Sequence, residues 1–258
     1  MSVSFIGLGL SDERGLTIEG LEEARGAASI FAEFYTNVMS SLDLRRLEVL
    51  LRKKIVVLSR VQLEDENGRQ ILEAARKGKV AFLVPGDPMI ATTHVSIRLE
   101  LAKRGIESII IHGPSITSAV CGATGLQSYK FGRTVTMPQE SAIPGSVLEA
   151  IVDNRERGLH SLVLLDVRSD QSKQLSVSEA AAKLVAADSL FESWLGVGVA
   201  RIGSKDQLVH AARLGELRRE DFGSVPHCMV IPGKLHFMEV EFLKVFCGAR
   251  DADLGAVK

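Results

Sequence analysis

Five short apolar runs separated by amphipathic stretches occupy the first 111 positions of the chain: 3–6, 30–32, 55–58, 80–85 and 106–111. The run 80–85 has no polar interruption, which predicts a strand buried on both faces of a parallel sheet, and the other four read as further strands. The stretches between them carry helix signals. Thr17 is placed to cap one helix, and Leu44, Leu47 and Leu51 share a face of the next. Residues 71–76 form a third, stopped by Gly78, and Thr92 or Thr93 caps a fourth that runs to Arg104 with Ile97 and Leu101 on one side. Arg45, Arg46, Arg52, Lys53 and Lys54 surround the outer face and end of the second helix, a solvated surface with cations well placed at a helix carboxyl terminus. The alternation predicts a parallel sheet with right-handed crossovers.

Beyond position 111 the pattern loosens. Residues 113–125 are small and glycine-dense, which suits either a close approach of backbone to a ligand or a plain connection between domains. Residues 137–146 hold two prolines and a glycine among polar residues and read as an exposed loop. Strands are expected at 162–165, 197–202, 207–214 and 228–231, a helical turn at 218–222 and a closing helix at 235–246. Ser176 and Glu179 make a capping box for an alanine-rich helix. The expected architecture is α/β with a ligand cleft, in one large or two modest domains. Residues 1–112 carry the parallel sheet, and residues 113–258 a mixed sheet.

Composition narrows the function classes. A chain of 258 residues can bury roughly 70–75% of its unfolded surface, so its core needs no staples. A formal net charge of −1 with 24% charged residues argues against a broad nucleic-acid footprint. Cys121, Cys228 and Cys247 are odd in number and without a C-x-x-C, which speaks against disulfides and thiolate metal sites. No apolar run approaches the ~20 residues of a membrane span, and no basic segment precedes an apolar one at the amino terminus; a cytoplasmic protein is expected.

The candidate chemistry centres on Pro85-Gly86-Asp87-Pro88. Two prolines fix φ and the glycine is free to take φ > 0, so a carboxylate is held at the carboxyl end of a buried strand, where open α/β sheets bind ligands. Taken alone, the turn also suits a simple capping aspartate. Gly7 and Gly9 follow the first strand, but the third glycine of a dinucleotide fingerprint would fall at Asp12, and Glu33 reads as a strand-end residue. There is no G-x-x-x-x-G-K-[ST], no G-x-S-x-G and no H-E-x-x-H, and the six histidines are scattered, so phosphate-loop, covalent hydrolase and metal chemistry lack support. Composition and spacing reach a ligand-binding α/β protein and stop there.

Seven stretches together carry a resemblance: FIGLGLSDERGLT (5–17), FAEFYT (31–36), PGDPMIATTH (85–94), GPSI (113–116), TGLQSYKFGR (124–133), GLHSLVLLDV (158–167) and FGSVPHCMVIPGKLH (222–236). The chain resembles the diphthine synthase family, within the tetrapyrrole-methylase-like class of S-adenosylmethionine methyltransferases. PGDP alone would indicate only the class. The resemblance implies repeated methylation of the amino group on a modified histidine of translation elongation factor 2, giving trimethylated diphthine in the archaeal-type enzyme. The implied fold is two α/β domains with the ligand cleft between them; S-adenosyl-L-methionine is the implied methyl donor, S-adenosyl-L-homocysteine the product, and a homodimer the implied assembly. The implied donor contacts are Leu10, Asp87, Ile90, Ser115, Ile116, Leu165, Ile202 and His227, with no metal and no assigned catalytic residue. Asp87 is expected to help hold the cationic donor, and His227 either to accept the amine proton or to contact the donor through its backbone. The loop 137–146 lacks the aromatic residues that family members tend to carry there. Two alternatives are a small tetrapyrrole-type acceptor and a non-catalytic donor-binding module.

Overall fold

The computed structural model describes residues 1–168 and 173–255, which form two compact units, Met1–Ile116 and Thr117–Lys258. In the first, strands β1 (Ser2–Gly7), β2 (Ser29–Ala32), β3 (Ile55–Val57), β4 (Val80–Val84) and β5 (Glu107–Ile111) pair in parallel in the order β3-β2-β4-β1-β5. Helices α1 (Ile18–Gly26), α2 (Leu44–Leu51), α3 (Arg60–Leu63), α4 (Arg69–Ala75) and α5 (Val95–Lys103) connect them. Successive side chains of a strand point to opposite faces. Accordingly Val80, Phe82 and Val84 of β4 pack with Leu63, Ile71, Ile97 and Leu101, while Ala81 and Leu83 pack with Ala24, Leu47 and Leu51. The strand has no solvent side, which is why its sequence has no polar position.

The chain steps from β1 out to β3 with α1 and α2 on one face. It returns through β4 and over β1 to β5 with α4 and α5 on the other. A change of face with each change of direction is what a single crossover hand requires. Thr17 caps α1 by accepting the Gly20 N–H, as expected. The start of α5 departs from expectation: His94 occupies the cap position without a side-chain cap bond. The two threonines are engaged elsewhere, Thr92 Oγ1 with the Pro88 carbonyl at 3.1 Å and Thr93 Oγ1 with Glu64 Oε1 at 3.2 Å.

The second unit holds β6 (Val135–Met137), β7 (Ser161–Leu165), β10 (Leu195–Ala200), β11 (Leu208–Arg213) and β12 (His227–Ile231) in the order β11-β10-β12-β7-β6; a small hairpin, β8 (Val167–Arg168) and β9 (Lys173–Gln174), stands apart. Only the β6–β7 pair of the five-stranded sheet is parallel, so the sheet is mixed, as its irregular sequence pattern predicts. The helices are α6 (Ile116–Thr124), α7 (Gly145–Glu156), α8 (Val177–Ala187), α9 (Leu214–Leu217), α10 (Phe237–Cys247) and α11 (Asp251–Leu254). The glycine-dense stretch is therefore largely helix, with Val120 and Thr124 buried. The helical turn expected at 218–222 lies earlier, at α9, directly after β11. The loop after β6 is fastened: Lys183 Nζ donates to the carbonyls of Pro138, at 2.5 Å, and Glu140.

Glu239 on α10 organises the middle of this unit. Its fully buried carboxylate accepts from the Gln127 N–H at 2.9 Å, the His236 N–H at 2.7 Å, His160 Nε2 at 3.1 Å and Lys130 Nζ at 2.5 Å. Burial pushes this carboxyl up, but the four donors outweigh it and hold the group below the usual glutamate range.

Candidate functional site

Three adjacent strands end at one place. β1 is flanked by β4 and β5, and beyond their carboxyl ends lie Leu10, Asp87, Ile90, Ser115 and Ile116. The sequence expectation brought these five together, and the first unit gathers them. The junction is tight because it is made of backbone. A Cβ on Gly7 would lie 2.5 Å from the Gly86 carbonyl oxygen and 2.6 Å from the Gly113 nitrogen, and one on Gly113 would meet the same carbonyl at 2.6 Å. Gly9 and Gly86 exchange N–H···O bonds of 3.2 and 2.7 Å, and Gly86 adopts φ of +70°. Gly86 is buried, but a Cβ built on it would meet no atom within 4 Å, so space lies beside the backbone there.

Asp87 is only 6% exposed, and both of its oxygens are held. Oδ1 accepts from the Met89 N–H at 2.9 Å, and Oδ2 lies 2.6 Å from Nδ1 of His112, the residue that follows β5. The turn then passes through Ala91 at φ of +55°, a left-handed conformation that L-residues rarely take and that clusters at functional sites. Ile90 remains 40% exposed beside it. Beneath the turn, fully buried His94 holds the Pro88 carbonyl through Nδ1 at 3.3 Å and packs edge-on against Phe82. Its Nε2 stands 3.9 Å from Glu33 Oε1 without a hydrogen-bond partner. Glu33 sits just past the end of β2 and accepts from the N–H groups of Tyr35 and Thr36 and from the Thr36 hydroxyl. Burial pushes the Glu33 carboxyl up and the His94 imidazole down to about 4, so both are driven toward their neutral forms.

In the second unit Leu165, Ile202 and His227 lie at one end of the mixed sheet. Leu165 closes β7, Ile202 follows β10, and His227 opens β12, where it pairs with Ala200. The ring of His227 is fully engaged. Nε2 lies 3.0 Å from the Ser224 carbonyl and Nδ1 accepts the Val177 N–H at 3.3 Å. Burial lowers its basicity. An amine proton could be taken by Nδ1 only by releasing the first turn of α8, so the arrangement favours a contact through the backbone over the side-chain base. The loop before it is pinned by buried Arg201, at φ of +49°, whose Nη1 donates to the carbonyls of Phe222, at 2.6 Å, and Ser224.

The chemistry on offer in the first unit is a buried carboxylate, space beside the Gly86 backbone, and partly exposed Leu10 and Ile90, a set that fits an amphiphilic cation. Among the described residues no group of three or more His, Cys, Asp or Glu side chains could hold a metal ion. The sequence profile of a family described as Tetrapyrrole (Corrin/Porphyrin) Methylases matches residues 2–218. The diphthine synthase of Methanocaldococcus jannaschii is 44% identical over 252 residues, spanning 93% of this chain and 97% of that protein. The chain belongs to the diphthine synthase family.

Halobacterium salinarum has a further family member 43% identical over 256 residues, covering 96% of this chain and 98% of that one. A solved crystal structure of diphthine synthase aligns over the whole of both chains, with a TM-score of 0.93 and 37% identity. Against this diphthine synthase fold, sequence reasoning missed His112, Ala91 and Arg201. None left a signal in the sequence: His112 stands beside Gly7 only through the β1–β5 register, where Ile6 pairs with Ile111. A glycine at that strand end lets the residues after β4 and β5 meet across it.

Proposed function

We propose that this protein transfers methyl groups from S-adenosyl-L-methionine to the amino group of the modified histidine of translation elongation factor 2. The product is trimethylated diphthine, on the way to diphthamide, and S-adenosyl-L-homocysteine is released. The observation that carries this reading is the match of nearly the whole chain to diphthine synthases at 43–44% identity. The donor supplies a sulfonium methyl that is already electrophilic. The protein's part is then to bind, orient and exclude water, and holding the acceptor amine in line with the methyl can lower the barrier by roughly 7–11 kcal/mol. Leu10, Asp87, Ile90, Ser115 and Ile116 of the first unit and Leu165, Ile202 and His227 of the second form the proposed donor contacts. A carboxylate about 4 Å from a unit charge contributes up to about 4 kcal/mol at an effective dielectric of 20, before desolvation, which is the role assigned to Asp87.

Elongation factor 2 is the protein partner in this reading, the protein acts as an archaeal-type homodimer, and the compartment is the cytoplasm. No helix among the described residues is long and apolar enough to cross a membrane. The test is mass spectrometry of elongation factor 2 carrying the unmethylated histidine intermediate, after incubation with this protein and the donor. A gain of three methyl groups on that histidine is expected. No gain, with donor binding demonstrated, overturns the acceptor.

A further inference from the structure

We propose that His112 is a positioning residue for the methyl donor, acting through Asp87. The inference rests on Asp87 as a donor contact. β4 and β5 are separated by β1, yet the residues that follow them meet because Gly7 presents no side chain at the end of β1. The meeting brings His112 Nδ1 to 2.6 Å from Asp87 Oδ2, while the Met89 N–H secures Oδ1. A carboxylate only accepts hydrogen bonds, so Nδ1 is the donor in this contact. Held at both oxygens, the Asp87 side chain has one orientation before any ligand arrives, and a ligand that uses it need not order it.

The two partners are unequally buried, which separates a positioning role from a structural one. The His112 side chain is 72% exposed and that of Asp87 only 7%. A side-chain contact with so exposed a member adds little to folding. What it fixes is the direction of a carboxylate otherwise anchored by one N–H.

Calorimetric titration of S-adenosyl-L-methionine into the full-length protein and into H112A, H112N, H112Q and D87N, with thermal melts of each, tests this. H112A is expected to bind the donor about tenfold more weakly with an unchanged melting temperature. Its KM for the donor should rise with kcat retained at saturation. H112N should restore affinity, because its amide nitrogen stands where Nδ1 does. H112Q, whose amide reaches the Nε2 position, should not. The double variant H112A/D87N should bind no more weakly than D87N alone.

If D87N weakens binding while H112A does not, the His112 proposal falls and the Asp87 reading stands. If D87N binds as wild type, the Asp87 reading fails and takes a role through Asp87 with it. Equal loss in H112A and H112N, or a lowered melting temperature in both, also overturns the proposal.

Discussion

Two buried carboxylates, one in each unit, are held in opposite styles. Glu239 is saturated from within: two backbone N–H groups, an imidazole and an ammonium converge on it, and each belongs to a segment it ties down. Asp87 has one backbone donor and one largely exposed side chain, and open space lies beside the glycine that precedes it. The first arrangement leaves nothing for a ligand to do. The second keeps a charge buried, oriented and within reach of an incoming group. Burial alone therefore does not separate Glu239 from Asp87, the carboxylate proposed to hold the donor, whereas the exposure of their partners does.

Removing the charge at each place should pull the two regions apart. Glu239→Gln leaves the Lys130 ammonium, itself mostly buried, without its counter-charge, and should cost about 3–5 kcal/mol, lowering the melting temperature by on the order of 10 °C. Under Asp87, the buried His94 resists protonation. With the folded value pushed down to about 4 from 6.5, its contribution is complete above pH 6.5, and is lost as pH falls toward 4 while the unfolded chain takes up the proton. The loss amounts to about 3 kcal/mol, and denaturant titrations at several pH values should show it disappear in His94→Asn. Asp87→Asn should leave stability nearly unchanged but weaken donor binding about tenfold to a hundredfold, read by calorimetry. The smallest effect is expected at Ala91, where glycine accepts φ of +55° without strain. Ala91→Gly should stabilise the fold by under about 1 kcal/mol, measured as a shift in denaturation midpoint.

The first unit was legible because its central strands β1, β2 and β4 are buried on two faces, while the edge strands β3 and β5 keep partly exposed positions, and an apolar run bounded by turn residues has few other readings. The PGDP turn was legible because its prolines fix φ and its glycine admits φ > 0 whatever surrounds them. Legibility failed where partners are distant in sequence. His112 acts on a residue 25 positions away, and Arg201 on carbonyls 21 and 23 positions on, and neither leaves a local pattern. It failed differently at α6. There Ser115, just before the helix, is a start signal, but the small residues that follow resemble a loop until Val120 and Thr124 are seen to be buried. The α5 cap was missed because the Thr92 hydroxyl turns back to the Pro88 carbonyl and the Thr93 hydroxyl to the distant Glu64.

The backbone junction at Gly7, Gly86 and Gly113 has a consequence for how this sequence can drift. Most damaging substitutions in a protein core have suppressors, since a neighbouring side chain can shrink to make room. At positions 7 and 113 the obstacle is the Gly86 carbonyl and the opposing main chain, which no codon change can trim. A suppressor screen begun from Gly7→Ala or Gly113→Ala should return true revertants and no second-site solutions, making the two positions fixed points around which the rest of the site is free to vary.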